Sequence, residues 1–450
     1  MNILESFRIN HPVKLAAVGA GGKTSFLFAL AREIPGKCII TTTTHISIEQ
    51  SNRGDIRLLS NDLNLYKKII AAPENATIII VGTQQGRERV NGPDQAILAQ
   101  LHTLCEQENL SLLVEADGSK KLPLKAFANH EPAVPEWIDI IVHIIGWNSI
   151  GKQVDDTNIF RVDRYCELTN QKKGDIINFS SIANLLLHEK GGKKAIKHNQ
   201  RSIIFFNQCP NNLIIDQKTE AEIYSLLSFH HSVIFGNTPA SNGHSSTIVN
   251  CFENIAAVIL AAGGSSRLGE NKIKQLLQYH GNSFLQNTAN LILKGPFTKQ
   301  IAVLGYKFEL LQKELEGYSI EIINNSQWEN GQSTSVIAAV NELIKSSHLG
   351  GAMFFPIDQP NLDLSTINQI LQCHTNNIGS TIVPRYKDMV GAPVLFDRNH
   401  FANLLNLHGD KGGRAILYQV SHRFCDITNQ LALQDIDTMD VYLKLIEQNH

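Results

Sequence analysis

Residues 255–277 read IAAVILAAGGSSRLGENKIKQLL, and the fold class is read outward from this stretch. Ile255–Leu260 is an apolar run of strand length that passes directly into a turn of small residues, Ala261-Ala262-Gly263-Gly264-Ser265-Ser266. The same construction occurs near the start of the chain. Val13–Val18 runs into Gly19-Ala20-Gly21-Gly22, and a helical stretch follows from Lys23 to about Ile34. Pro35-Gly36 stops that helix, and Lys37–Thr44 reads as the next strand. Short β-branched runs alternate with helical stretches along most of the chain, the pattern of α/β folds with mainly parallel sheets. Between the two starts, Asn237–Ser246 (NTPASNGHSS) is the most linker-like segment. We therefore expect two α/β domains, residues 1–250 and 251–450.

A chain of 450 residues is too long for one ordinary core. With 43% hydrophobic and 18% charged residues it reads as a folded, soluble protein. A formal net charge of -2 gives no electrostatic reason to expect nucleic acid or an anionic membrane as the main partner. Phosphate chemistry must then be local, built by a few loops. The seven cysteines are scattered and none sits at zinc-ligand spacing. The opening MNILESFRINHP is too polar for a signal peptide, and runs such as Ile138–Ile145 are too short to span a bilayer. A reducing cytoplasmic location is the expectation.

In the C-terminal half, Gly263 and Gly264 allow backbone N–H groups to approach phosphate oxygens that a Cβ would block. Arg267 can fork onto the same oxygens, with Lys272 or Lys274 adding a point charge. The bland alternative is a tight turn with nearby solvated cations. Phe354–Pro360 (FFPIDQP) is an apolar strand delivering Asp358 at its C-terminal end, where open α/β sheets bind ligands. Asp358 is a candidate ligand for Mg²⁺ between triphosphate oxygens, or simply a turn residue before Pro360.

From Ile255 to the C-terminus the sequence resembles the MobA-like nucleotidyltransferases, and within them the molybdenum cofactor cytidylyltransferases (MocA-like). The resemblance rests on LAAGGSSRLG, Lys274–Leu277 (KQLL), Asn324–Ser335 (NNSQWENGQSTS), Ile357–Pro360 (IDQP), Gly391–Phe396 (GAPVLF), Gly409–Leu417 (GDKGGRAIL) and Asp435–Thr438 (DIDT). It implies a GT-A/Rossmann-like three-layer domain that joins CMP from CTP to molybdopterin and releases pyrophosphate. By position, Leu260, Ala261, Ala262, Gly263 and Gly264 hold the nucleotide and Arg267 the phosphates. Asp358 binds Mg²⁺, with Asp437 a second metal contact, and Gly331 and Ser333 lie on the acceptor or nucleotide side. Spacing from Gly269 points to Lys272 as the phosphate lysine, whereas the following QLL points to Lys274. Gln278 stands where the family usually has Pro, Ala392 where it has His, and Gly413 where Ala is common. A transfer that brings two anions together needs positioning and countercharge more than a general base.

The N-terminal turn, Ala17–Ser25 (AVGAGGKTS), has the strand–turn–helix context of a P-loop, although Ala17 replaces the first glycine of that pattern. Gly19, Gly21 and Gly22 would cradle phosphate, Lys23 would reach the terminal phosphates and Thr24 could meet Mg²⁺. The alternative is a tight turn with a solvent-facing lysine. Leu112–Ser119 (LLVEADGS) ends a strand in Glu115 and Asp117, and Asp117 is a candidate metal-organising carboxylate. Thr41–Thr44 and His45 end the intervening strand, where hydroxyls could face a bound phosphate, but runs of Thr are also good strand formers and that plainer reading is preferred. Lys125 and His130 follow the acidic strand end, and Cys209 reads as a buried, inert thiol.

Residues 12 to about 240 resemble the YqeC-like proteins, through GAGGKTS, TTTTH, Glu115–Pro132 (EADGSKKLPLKAFANHEP), GWNSIGK, Phe160–Arg164 (FRVDR) and Phe206–Cys209 (FNQC). That resemblance implies an accessory role for selenium-dependent molybdenum hydroxylases, with ATP or GTP at the P-loop-like site and an apo-hydroxylase as partner. Two alternatives stay open: nucleotidyl transfer with another base or acceptor, such as GTP or a sugar 1-phosphate, or a non-catalytic chaperone that binds the finished cofactor.

Overall fold

The structure, a computed structural model, describes residues 1–86, 88–197, 199–239, 246–264, 268 and 272–447. They divide into two compact units, Met1–Phe252 and Glu253–His450. Most of the linker-like segment, residues 240–245, lies outside the described residues, as does Arg267.

The first unit is an α/β layer structure. Its strands are β1 (Lys14–Gly19), β2 (Cys38–Thr42), β3 (Ile56–Leu59), β4 (Thr77–Val81), β5 (Ser111–Glu115), β6 (Ile140–Gly146), β7 (Arg201–Asn207) and β8 (Ser232–Asn237). They pair in the order β8-β7-β6-β1-β5-β2-β4-β3, and the registers are parallel. β1 is central, so almost every one of its residues is buried. Ala16 and Val18 share one core with Ile39, Ile78, Leu112 and Val114. Helix α1 (Lys23–Glu33) begins immediately after Gly22, and its last amide bond ends at Ile34, before Pro35. The strand expected to reach Thr44 stops at Thr42, because the Thr42 hydroxyl accepts from the Thr44 amide at 3.1 Å and turns the chain.

The second unit starts within β9 (Thr247–Ala261), whose part from Glu253 onward belongs to it. It continues through α2 (Phe284–Lys294), β10 (Lys299–Leu304), β11 (Glu321–Asn324), α3 (Gln332–Leu343), β12 (Leu349–Pro356), α4 (Leu364–Thr375), β13 (Thr381–Tyr386), β14 (Val394–Asp397) and β15 (His422–Asp426). The sheet order is β11-β10-β9-β12-β14-β13-β15. β9 pairs in parallel with β10 and β12, and β14 runs antiparallel to β12.

The apolar run of β9 feeds two cores by parity, as the period of a strand requires. Ile255, Ala257 and Ile259 pack with Leu285, Ala289 and Ile292 of α2 and with Ile367 and Ile370 of α4. Ala256 and Val258 pack on the other face with Val336, Ala339 and Val340 of α3. Helices on both faces give three layers, the α/β class expected. The strand order reverses at β9, with β10 on one side and β12 on the other. Such a switch point opens a crevice outside the carboxyl ends of these strands. Leu260 and Pro356 are register partners there.

Candidate functional site

That crevice is a cavity of about 470 Å³, floored by Leu260–Gly264 and walled by Lys274, Gln275, Trp328, Gly331, Asp358 and Asp437. The turn is held open from below. The buried Gln275 amide donates to the carbonyl oxygens of Ala261 and Gly263, both at 2.8 Å. Gly263 has open space where a Cβ would stand, whereas a Cβ on Gly264 would press on the Trp328 ring at 3.1 Å. Gly331, at φ +105, is in the left-handed region, and a Cβ there would overlap the Gly409 backbone.

Asp358 and Asp437, distant in sequence, meet because the Ile436 amide donates to the Asp358 carbonyl at 2.8 Å. Lys274 Nζ lies between their carboxylates, 3.0 Å from Asp358 Oδ2 and 2.8 Å from Asp437 Oδ1. Partial burial of the ammonium lowers the Lys274 pKa, but the two carboxylates outweigh that and the net shift is upward. The structure therefore brings Lys274, and not the exposed Lys272, into the cavity with the two aspartates. Ser333 is buried at the start of α3, while Ser335, two residues on, lines the cavity.

A second cavity of about 300 Å³ shares Leu260, Gln332, Pro356 and Asp358 with the first, and adds Arg414 and Asp435. Burial first, then repulsion from Asp358, raises the Asp435 pKa, and Gln359 steadies its carboxylate with a 2.9 Å hydrogen bond. Ala392 and Gly413 line this second cavity. A Cβ on Gly413 would come within 2.6 Å of the Phe396 ring, which gives a local reason for glycine there. Gln275, Arg414 and Asp435 were not singled out as site residues from sequence. Their segments, KQLL, GDKGGRAIL and DIDT, were the available signal.

The carboxylate pair fits a hard divalent cation such as Mg²⁺ in its donor chemistry: oxygen donors in an open cleft, already balanced by the Lys274 ammonium. Lys274 occupies their inner faces, so an incoming polyphosphate would give the lysine a new partner and release the carboxylates.

The N-terminal turn is assembled differently. Lys23 is almost fully buried, donating to Gly19 O at 2.8 Å and lying 3.2 Å from Asp117 Oδ1 and 3.8 Å from Glu115 Oε1. Thr24 donates to Glu115 Oε2 at 2.7 Å, and the Gly19 amide donates to Asp117 Oδ2 at 3.0 Å. Lys125 bridges Asp117 and Glu131 at 2.8 and 2.9 Å, and Arg161 forks onto Glu131. Three cations thus balance three carboxylates.

Burial pushes the Glu115 pKa up, with Lys23 and Thr24 opposing. For Glu131 burial is outweighed by hydrogen bonds from Arg161 and Lys125, which hold it down at about 2. Gly19 and Gly21 pack so tightly that a Cβ would strike the backbone of Ile144 or Gly146. Gly22, at φ +115, would press on Asn207. The small cavity touching this turn beside Ala20 and His143 measures about 20 Å³.

Thr41 and Thr42 donate to the Ile80 and Glu115 carbonyls, and His130 is exposed. Cys209 is buried, with its pKa pushed up by burial to about 12, so its thiol stays protonated near neutral pH.

The second unit, with its switch-point cavity, Gly-rich turn and paired carboxylates, is a nucleotidyltransferase domain. Residues 257–424 match the MobA-like NTP transferase domain family, and residues 15–163 match the YqeC protein family, so the chain joins a YqeC-like half to a MobA-like half. Protein YqeC of Escherichia coli (strain K12) is 28% identical over 206 residues, 44% of this chain and 78% of that protein. Nicotine blue oxidoreductase of Paenarthrobacter nicotinovorans is 27% identical over 202 residues, 43% of this chain and 96% of that protein. The crystal structure of Rv0371c from Mycobacterium tuberculosis H37Rv aligns with 29% identity over 43% of this chain and 98% of its own, at a TM-score of 0.38.

Proposed function

We propose that the C-terminal half transfers CMP from CTP to the phosphate of molybdopterin cofactor, with Mg²⁺ held by Asp358 and Asp437. The observation that carries this reading is the Lys274 bridge between Asp358 and Asp437, set where the two cavities meet. The larger cavity takes the nucleotide on Leu260–Gly264, with Arg267 reaching its phosphates. The smaller takes the acceptor, with Arg414 as its countercharge. An acceptor phosphate oxygen attacks the α-phosphorus; the bond to the β-phosphate bridging oxygen breaks, and pyrophosphate leaves with the electron pair. Mg²⁺, when bound, neutralises charge on the polyphosphate. Lys274 turns from the carboxylates to the phosphates, and the braced turn supplies fixed N–H dipoles. A phosphate monoester is already largely anionic at neutral pH, so the attack needs no strong base.

One relative is named for an oxidoreductase activity; the Gly-rich turn and the lysine-bridged aspartates favour phosphate chemistry here. For the N-terminal half, the reading is binding of ATP or GTP at Gly19–Thr24, with Asp117 organising the metal, in a selenium-related step that serves an apo molybdenum hydroxylase.

The test is pyrophosphate release by the full chain with Mg²⁺ and molybdopterin cofactor, comparing CTP, GTP and ATP. Release with CTP that Asp358→Ala abolishes supports the reading. Release with GTP alone keeps the mechanism and changes the product, and no release with any nucleotide rejects catalysis in favour of cofactor binding.

A further inference from the structure

At the other end of the same sheet, Glu253, His374 and Asp397 place one donor atom each within 4.8 Å of one another. All three are buried. They come from different elements: Glu253 from β9, His374 from the last turn of α4 and Asp397 from the end of β14. Glu253 and Leu260 are seven positions apart on an extended strand, roughly 23 Å, so the cluster stands apart from the cavity that takes the nucleotide.

His374 is 2% exposed, and neither ring nitrogen has a hydrogen-bond partner among the described residues. Its Nε2 faces Glu253 Oε2 at 3.6 Å. That is too long for a hydrogen bond, so a plain imidazole–carboxylate pair leaves a buried polar ring unsatisfied. Asp397 is fixed from behind: Oδ2 accepts from the Gly379 amide at 2.8 Å and Oδ1 from the Asn399 amide at 2.9 Å. Glu253 is seated against Gly350, where a Cβ would collide with the carboxylate.

We propose that Glu253, His374 and Asp397 form a structural site for a divalent transition-metal ion of the Zn²⁺ or Mn²⁺ kind. One imidazole with two carboxylates favours such ions over Mg²⁺, which prefers all-oxygen shells and keeps its waters. Metal–ligand distances of about 2.0–2.2 Å require the donor atoms to stand about 4 Å apart or closer, so side-chain shifts of under about 1 Å complete the shell. Bound there, the ion ties β9, α4 and β14 together at the end of the sheet opposite the proposed catalytic loops.

The test uses the untagged full chain carrying Asp358→Asn and Asp437→Asn, which removes the carboxylate pair of the proposed catalytic site. The chain is loaded with Zn²⁺ or Mn²⁺ and desalted. The expected result is about one equivalent of retained metal and a raised melting temperature for the second unit, both lost when His374→Gln is added. Retention of no metal, or retention unchanged by His374→Gln, overturns the proposal. Should His374→Gln not fold, pulsed EPR of the Mn²⁺-loaded parent decides: nitrogen coupling from an imidazole supports the site and its absence rejects it. These readouts do not depend on nucleotidyl transfer, so failure of that function leaves them interpretable.

Discussion

The two halves each place a strand, a glycine turn and a lysine in succession, yet tertiary structure uses the two turns in opposite ways. In the C-terminal half the turn faces a cavity of about 470 Å³, and Lys274 sits at its wall between two partly exposed aspartates. In the N-terminal half Lys23 is folded inward among Gly19, Glu115 and Asp117, and the neighbouring glycines are packed against strand β6 and Asn207. Gly263 in the first case leaves room for a ligand; in the second, Gly19 and Gly21 leave room for the protein's own backbone. The difference separates a turn built to be occupied from one that must first exchange its internal partners.

The largest effect should fall on the open turn. Asp358→Ala is expected to lower nucleotidyl transfer by about 10²–10³-fold, the usual scale for losing a group that stabilises transition-state charge. An unchanged rate would place the chemistry elsewhere. Lys274→Ala should cost about 10²-fold, whereas exposed Lys272→Ala should stay within about twofold. Equal losses would show that both lysines serve the phosphates.

For the closed turn the effect should appear first in stability. Lys23→Met strips a buried cation from two carboxylates and should destabilise the first unit by about 3 kcal/mol, read by denaturant unfolding. If Mg²⁺-ATP or Mg²⁺-GTP raises the melting temperature of the parent but not of this variant, the closed turn also opens for nucleotide. No shift in either chain would leave Lys23 purely structural.

The smallest effect concerns Glu131. Its pKa is lowered, so its contribution is present above its ordinary value near 4.5 and lost as pH falls towards about 2. Glu131→Gln should therefore lose stability at pH 6 and converge with the parent by about pH 2–3. A gap that persists at low pH would show that Glu131 acts through packing, not charge.

Much of this was legible in sequence. The alternation of apolar runs and helical stretches gave the α/β class, since each strand of β1 or β9 type must be covered by helices. The stop of α1 before Pro35 and the turn after Leu260 were equally readable, being matters of local backbone preference. The choice between Lys272 and Lys274 was not. Their spacing from the turn differs by two residues, and only the packing of Gln275 under Ala261 and Gly263 decides which one faces the cavity. Lys125 stands beside the acidic strand end in sequence, but its bridge from Asp117 to Glu131 depends on a loop that returns to the sheet.

What sequence determined by itself was therefore short-range: strand and helix periods, glycine turns, and carboxylates at strand ends. These follow from φ/ψ limits and side-chain alternation within a few residues. What tertiary structure alone decided was long-range: the meeting of Asp358 with Asp437, the inward fold of Lys23, and the Glu253–His374–Asp397 cluster. Each depends on which strand edges pair and which loops return beside them, and burial then sets the charge of the groups that meet.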